Sequence, residues 1–422
     1  MERPRLVLRP KEDLRLRAGH PWVYDNEIAR VEGKPEPGDE VEVRDARGLP
    51  VGVAFFNPSS KIRARIYSRE IRAADGDFFR ETIGRAIAYR CRHFDPDRQS
   101  VRAVYGEADG LPGLIVDSFV GLPESVRPAS SNGGAVSTQG DPAGIRQSGR
   151  WLSAQFLSLG VAVRRDLIAS VLAELLPSAG IAERSDAPVR GLEGLPAETG
   201  VLSGSVPERV LIEENGLSFG VDLLGGQKTG WFLDQRANRA AAARYAAGRR
   251  VLDAFCNAGG FGLGCAAAGA ESVLAIDASQ DAVEATAANA ARNGLSSKVS
   301  VVAANAFDFL RGLEHKRERF GLIVLDPPAF AKNRASIEGA HRGYKDLNLR
   351  AIKLLEPGGI LVSCSCSFWF DRERFNSMLG EAAADSGRRM RFLEERGQDL
   401  DHPIVSGYGE SRYLKCVIAE AL

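Results

Sequence analysis

Residues 249–277, RRVLDAFCNAGGFGLGCAAAGAESVLAID, constrain the fold more than any other stretch: a buried-strand pattern runs into a glycine-rich turn, a small-residue helix and a second strand. Val251-Leu252 and Ala254-Phe255 read as an inner parallel strand, Asn257 to Gly260 as the turn, and Phe261 to Ala268 as a helix packed closely on a sheet. Ser272 to Ile276 is the next strand, closed by Asp277. Such a unit is half of a nucleotide-type α/β site. The dinucleotide fingerprint G-x-G-x-x-G is not met, because Ala258 stands in place of its first glycine, so a pyrophosphate ligand is disfavoured. What remains is Asp253 at the end of the first strand, a turn that lets backbone approach a ligand, and Asp277, suited to a ribose diol. S-adenosylmethionine has such a ribose and no phosphate; a related fold with an unrelated occupant is the alternative.

Two later stretches add chemistry. Residues 320–330, FGLIVLDPPAF, are an apolar strand ending in Asp326-Pro327-Pro328, with Phe330 four residues past the aspartate. The prolines fix φ and remove two backbone donors, so the strand stops and the loop leaves in a stiff direction. A carboxylate, a rigid floor and a ring are suitable parts for holding a planar base, the acid bonding its edge while the ring stacks. Residues 358–368, GGILVSCSCSF, form a strand that carries Cys364 and Cys366 on one face, with Cys366 nearer the tip between Ser365 and Ser367.

The rest of the chain supplies the setting. Residues 1–72 alternate short apolar runs with turn signals and read as a small β-rich domain. Residues 73–205 read as a middle α+β domain, interrupted near 121–150 by a stretch rich in Gly, Ser and Pro that should be a mobile insertion. Residues 206–422 carry the motifs above, with strands and helices alternating as in a doubly wound sheet. There Ser279 should cap a helix running to about Arg292, and Asn305 should end a strand where a polar side chain meets an adenine amino group. Residues 61–102 hold eleven Lys or Arg against six Asp or Glu, with Lys61, Arg63 and Arg65 alternating along a strand. That local excess is a candidate RNA surface, although a charge run is more often a solvated face.

Composition excludes several classes. With 55 basic and 55 acidic residues the whole chain is not a general polyanion binder, so any nucleic-acid footprint is local. The six cysteines show no paired metal spacing, and no metal site is expected. The charged N-terminus lacks a signal-peptide core and nowhere do enough apolar residues run together to span a membrane, so a cytoplasmic protein with reduced thiols is expected.

With these residues in hand, the chain resembles the bacterial PUA-containing class I methyltransferases that form 5-methylcytidine in large-subunit ribosomal RNA. The resemblance covers nearly everything outside 121–150. It rests on residues 225–236 (GGQKTGWFLDQR), the turn from Asn257 to Phe261, Asp326 to Phe330, Arg342-Gly343-Tyr344-Lys345-Asp346, Ser365-Cys366-Ser367, and the tail motifs His402-Pro403 and Tyr413-Leu414-Lys415. It implies a Rossmann-like methyltransferase sheet behind an N-terminal PUA-like β-barrel, with S-adenosylmethionine as cofactor and ribosomal RNA as partner. No membrane is implied, and a homodimer is among the assemblies left open.

By the same resemblance Cys366 is the nucleophile and Asp326 its partner on the base. The cofactor pocket is expected from Gln235, Arg236, Asp253, Phe255, Asn257, Ala258, Gly259, Gly260, Phe261, Asp277, Asn305, Ala306 and Asp326. Pro327, Pro328 and Phe330, together with Lys61, Arg63 and Arg65, are expected to meet substrate. Asn305 departs from the acidic residue common in that family. Two other functions stay open: an amino-group methyltransferase acting on adenine or guanine, which needs no cysteine, and a non-catalytic RNA-binding ribosome assembly factor.

Overall fold

The structure, a computed structural model, describes residues 3–124, 148–226 and 228–422. Its contacts divide the chain into two units: residues 1–213 with 220–233 and 400–411, and residues 214–219 with 234–399 and 412–422. Residues 1–72 and 73–205 thus fall in one unit, and parts of 206–422 join them.

The first unit contains a six-stranded sheet in the order Trp22–Tyr24, Ile62–Ser68, Pro50–Phe56, Glu40–Arg44, Arg5–Leu8, Ile28–Glu32. Its alternating pattern buries Val41 and Val43 with Leu6, Leu8 and Ile66, as half-buried strands require. A second sheet runs Glu198–Gly204, Gly180–Ser185, Gly149–Phe156, Leu114–Glu124, Arg209–Glu214, with Val101–Tyr105 also paired to Leu114–Glu124. The insertion expected at 121–150 is narrower than its composition suggests. Strands Leu114–Glu124 and Gly149–Phe156 pair as far as Gly121 opposite Gly149, and residues 125–147 lie outside the described residues.

The second unit is a doubly wound α/β sheet. Its strands are β1 (Arg250–Ala254), β2 (Ser272–Asp277), β3 (Val299–Ala303), β4 (Phe320–Leu325), β5 (Leu355–Ser365), β6 (Met390–Arg396) and β7 (Lys415–Ala421). Their spatial order is β3-β2-β1-β4-β5-β7-β6. The pairs from β3 to β5 are parallel, whereas β7 runs antiparallel to β5 and β6. The helices are α1 (Arg236–Ala243), α2 (Gly260–Ala267), α3 (Gln280–Arg292), α4 (Ala306–His315), α5 (Ile337–Leu354) and α6 (Arg372–Asp385). Every residue of β4 is buried, which is why it reads as an unbroken apolar run rather than an alternating one. Its side chains Phe320, Ile323 and Leu325 join Leu252, Leu347, Ile352, Phe375 and Val417 in the core.

Helix α3 starts where expected, Ser279 accepting the N–H of Ala282. One boundary differs: the strand expected over 358–368 begins at Leu355, because Leu355 pairs with Phe320 across a register shift. Among the described residues no helix is long and apolar enough to cross a membrane, and no group of His, Cys, Asp and Glu is placed to hold a metal ion.

Candidate functional site

The order of strands in the second unit sets β1, β4 and β5 side by side, so Asp253, Asp326 and Cys366 belong to three adjacent strand ends. At the end of β1 the chain leaves in a strained path: Phe255 (φ 67°), Asn257 (φ 50°) and Gly259 (φ 86°) all take the left-handed region. Such a conformation is costly for the bulky Phe255, and residues of this kind gather at ligand sites. A Cβ on Gly259 would meet Thr286 at 2.9 Å, and one on Gly262 would meet Asp253 Oδ2 at 2.9 Å. The glycines therefore let the turn and α2 press onto their neighbours.

Asp277 closes β2 and is fixed by two backbone donors: Asn257 N–H reaches Oδ2 at 3.0 Å and Ser279 N–H reaches Oδ1 at 3.0 Å. The half-buried carboxylate is thereby oriented beside the turn, as acceptance of a ribose diol requires. Ala258 is held through its carbonyl by Asn289, at 2.9 Å, while Phe261 is buried in α2.

Asp253 is placed differently from the expectation. It is 1 % exposed, and its Oδ2 accepts the Gly262 N–H at 2.7 Å, so it satisfies the start of α2 instead of facing a ligand. Burial pushes its carboxyl up to about 7; the Gly262 bond opposes this, and the charges of Asp326 and Asp277 add to it. Since a buried carboxyl already meets this helix start, the turn is poorly suited to phosphate. The acidic surroundings instead suit a cation, and the sulfonium of S-adenosylmethionine is one. Left-handed turn, fixed Asp277 and local negative charge together fit that cofactor.

Four further residues expected in the pocket have partners or packing of their own. Asn305 is exposed and its Oδ1 caps α4, accepting Phe307 N–H at 3.0 Å and Asp308 N–H at 3.4 Å, so this oxygen is not reserved for an adenine amino group. The next residue, Ala306, is buried in the core. Arg236 is buried between Glu214 (3.9 Å) and Asp399 (3.6 Å), which makes it part of an interior charge cluster. Gln235, 3 % exposed, gives its amide N–H to Asp326 Oδ1 at 2.9 Å and accepts from Asn238 at 2.6 Å. It thus sets the plane of the Asp326 carboxyl group.

Cys366 lies one residue beyond β5 and is partly exposed, whereas Cys364 is fully buried opposite Cys416. A hydrogen bond with the free thiol of Cys416, and then burial, raise the Cys364 thiol well above its ordinary range. Ser365 and Ser367 both meet the hydroxyl of the buried Tyr344, at 3.0 and 2.8 Å. Ser367 Oγ also accepts the Ala331 N–H at 3.1 Å, which ties the loop holding Cys366 to the Asp-Pro-Pro loop. In that loop Pro327 is buried, Pro328 exposed and Phe330 half-buried. The Phe330 ring lies 4.6 Å from that of Tyr344, and a Cβ on Gly343 would approach it to 3.2 Å.

The residue whose part was not assigned from sequence is Lys415. On β7 opposite Ser365, it is 3 % exposed and donates to Ser367 O at 2.5 Å and Tyr413 O at 2.7 Å. Burial pushes its ammonium down to about 8, while the charge on Cys366 opposes the shift. Tyr344 and Lys415 both belong to motifs visible in the sequence, but their convergence on Ser-Cys-Ser depends on the register of β5 and β7.

In the first unit the basic stretch loses most of its free charge. Arg65 is 7 % exposed, paired with Glu107 (2.9 Å) and Glu193 (2.8 Å) and lying over Trp22, so it cannot meet RNA as expected. The alternation fails because the register of Ile62–Ser68 against Trp22–Tyr24 shifts at Arg63, which donates to Pro58 O. Lys61 stays exposed. Arg80, Arg90 and Arg102 pair with Glu174, Asp109 and Asp117. In the 225–236 motif, Thr229 is buried with its hydroxyl on Asp117 and Trp231 is buried, while Gln227 lies outside the described residues.

Residues 6–69 match the family of PUA-like domains, and residues 196–406 match the family of S-adenosylmethionine-dependent methyltransferases. The chain is 37 % identical over 416 residues to the ribosomal RNA large subunit methyltransferase I of Klebsiella pneumoniae (strain 342), covering 98 % of this chain and 97 % of the relative. To the protein of the same name from Tolumonas auensis it is 39 % identical over 408 residues, 96 % of each. Among solved structures, a chain from Streptococcus mutans assigned as a SAM-dependent methyltransferase gives a TM-score of 0.79 at 19 % identity, covering 99 % of both chains. A chain assigned as a methyltransferase and complexed with SAH gives 0.80 at 19 % identity with the same coverage. At that identity the two structures speak to fold alone.

Proposed function

Because this chain belongs to the S-adenosylmethionine-dependent methyltransferase family, we propose that it methylates carbon-5 of a cytosine in large-subunit ribosomal RNA, with Cys366 as nucleophile. The observation that carries this reading is the built environment of one thiol: Cys366 emerges past β5 between two buried serines, beside a buried lysine, on a loop bonded to the Asp-Pro-Pro turn. An amino-group methyltransferase needs none of this. The relatives' action on ribosomal RNA, over the whole length of the chain, supports the substrate class.

When bound, S-adenosylmethionine supplies an electrophilic methyl group on a positively charged sulfur. Asp277 would hold its ribose, and the turn from Phe255 to Gly260 would line its bed. Carbon-5 of cytosine is a weak nucleophile, so the chain must raise its electron density. The Cys366 thiolate adds to carbon-6: a sulfur–carbon bond forms and the displaced pair moves toward carbon-5 and nitrogen-3. In its protonated form Asp326, whose Oδ1 is oriented by Gln235, would donate a hydrogen bond to nitrogen-3 and stabilise the charge that collects there. The Lys415 ammonium favours the thiolate before attack and again when it leaves. Once carbon-5 carries the methyl group, its proton passes to solvent, the sulfur–carbon-6 bond breaks and the thiolate is restored.

Bisulfite sequencing of ribosomal RNA tests this in a strain lacking the gene. One large-subunit cytosine should lose its protection, regain it with the wild-type gene, and fail to regain it with Cys366→Ala. Protection restored by the alanine variant would remove Cys366 from the reaction and favour amino-group chemistry.

A further inference from the structure

Most of the basic stretch near the N-terminus is held in ion pairs, which leaves the RNA strand to be met by other cations. Beside the Asp-Pro-Pro loop, in the second unit, lies a groove of about 590 Å³ bounded by Pro328, Phe330, Lys332, Glu338 and Arg342. Lys332 and Arg342 line this groove, and Arg334 lies in the same loop between the lining residues Lys332 and Ala335; all three are exposed, and among the described residues none makes an ion pair. The rest of α5 makes that unusual. His341 pairs with Glu381, Lys345 with Glu381 and Asp385, Arg350 with Asp346 and Glu314, and Lys353 with Glu314. A helix that neutralises its other cations leaves Arg342 open where it faces the groove. Glu338, on the same wall, is the one opposing charge in the lining.

A second observation comes from the loop after Cys366. Phe368 is 37 % exposed and Trp369 41 % exposed, with their rings edge to face at 5.4 Å. Two large aromatics left in water so near a thiol that is itself held in place are not core residues, whereas bases stack readily on such rings. This loop and the one leading into the groove are bonded through Ala331 N–H and Ser367 Oγ at 3.1 Å.

We propose that Lys332, Arg334 and Arg342 hold the phosphates of the single strand flanking the target base, and that Phe368 and Trp369 stack its neighbouring bases. This rests on the reading of the substrate as RNA. Free cations beside one loop and exposed rings on the loop bonded to it match the two components by which single strands are held without sequence readout: a track for the backbone and a platform for the bases. A flanking strand fixed in this way keeps an extruded cytosine over Cys366 and Asp326.

The full chain is titrated with a fluorescein-labelled single-stranded oligocytidylate across a salt series, and methyl incorporation into deproteinised large-subunit ribosomal RNA is measured in parallel. Each phosphate contact on a single strand contributes a slope of about −0.7 in log K against log salt, so Lys332→Gln/Arg334→Gln/Arg342→Gln should flatten the slope by about 2. Trp369→Ala should lose on the order of tenfold in affinity with the slope unchanged. Glu338→Gln should bind more tightly. Melting temperature and S-adenosylmethionine affinity should stay at wild-type values throughout, since none of these residues is in the core or cofactor bed. Unchanged slope in the triple variant, or unchanged affinity in Trp369→Ala, overturns the assignment, and a face built for a protein partner gives that result. If the wild type methylates the RNA while the variants match it, only this inference falls; if the wild type neither binds nor methylates RNA, the RNA reading falls with it.

Discussion

Replacing Lys415 by methionine separates the charge beside Cys366 from the packing around it. The ammonium is pushed from 10.5 to about 8, chiefly by burial. At about 1.4 kcal/mol per unit this is a cost of about 3 kcal/mol at neutral pH. The sign follows from linkage: the folded lysine binds its proton more weakly than the unfolded one, so the cost is fully present below about pH 8 and fades as pH rises from there to 10.5. Methionine removes that cost but leaves Ser367 O and Tyr413 O without their donor, at about 1–3 kcal/mol each. These opposing contributions are of similar size, so the variant should melt close to wild type at neutral pH and fall behind it in alkali. Function should not be spared. Losing a cation next to the thiol should move the midpoint for alkylation of Cys366 by iodoacetamide up by roughly 1–2 pH units. Peptide mass spectrometry reads this residue by residue, with the exposed Cys91 as internal reference. Lys415→Arg should keep the wild-type midpoint. If the midpoint stays put in Lys415→Met, the lysine is structural and has no part in making the thiolate.

Asp277→Ala should weaken S-adenosylmethionine binding by more than tenfold, because charge-assisted bonds to hydroxyls contribute about 1.5–3 kcal/mol each; wild-type affinity by calorimetry would take Asp277 out of the site. Asp253 is raised to about 7, so its favourable contribution is complete below the ordinary 3.8 and lost as pH climbs to about 7. Asp253→Asn should therefore melt higher than wild type at mildly alkaline pH and lose that advantage in acid; an advantage independent of pH would contradict the assignment. Tyr344→Phe removes the hydroxyl shared by Ser365 and Ser367 and should slow methylation on the order of tenfold, about 1.4 kcal/mol, with cofactor affinity intact. A variant as fast as wild type would show that the serine network does not position the thiol.

The parts legible in the sequence were those fixed locally. Inner parallel strands buried on both faces leave unbroken apolar runs, as in Phe320–Leu325, and the cap at Ser279 is visible from one residue and the helix it begins. The tight turn after β1 is legible through its glycines, whereas the positive φ of Phe255 and Asn257 is not, and the shared face of Cys364 and Cys366 follows from strand periodicity. The parts that failed depended on partners distant along the chain. Arg65 reads as part of a basic face because Glu107 and Glu193, which bury it, lie 42 and 128 residues away. Asn305 is polar at a strand end, which suits an adenine contact, but a polar side chain just before a helix is more often a cap, and that is its part in the structure. Lys415 stood in a recognised motif without a part, because only the antiparallel pairing of β7 with β5 brings it to Ser365 and so to the thiol.

The most direct test of carbon-5 chemistry at Cys366 is capture of RNA that carries 5-fluorocytidine at the target position. Carbon-5 of that base receives the methyl group but cannot then shed fluorine as it would a proton, so the sulfur–carbon-6 bond has no route to break. In the presence of S-adenosylmethionine the wild type should form a covalent complex that survives denaturation, with the cross-linked peptide containing Cys366. Cys364→Ala should form it too, since that thiol is buried opposite Cys416, and Cys366→Ala should form none. A complex retained by Cys366→Ala, or one attached through any other residue, would contradict the assignment of the nucleophile.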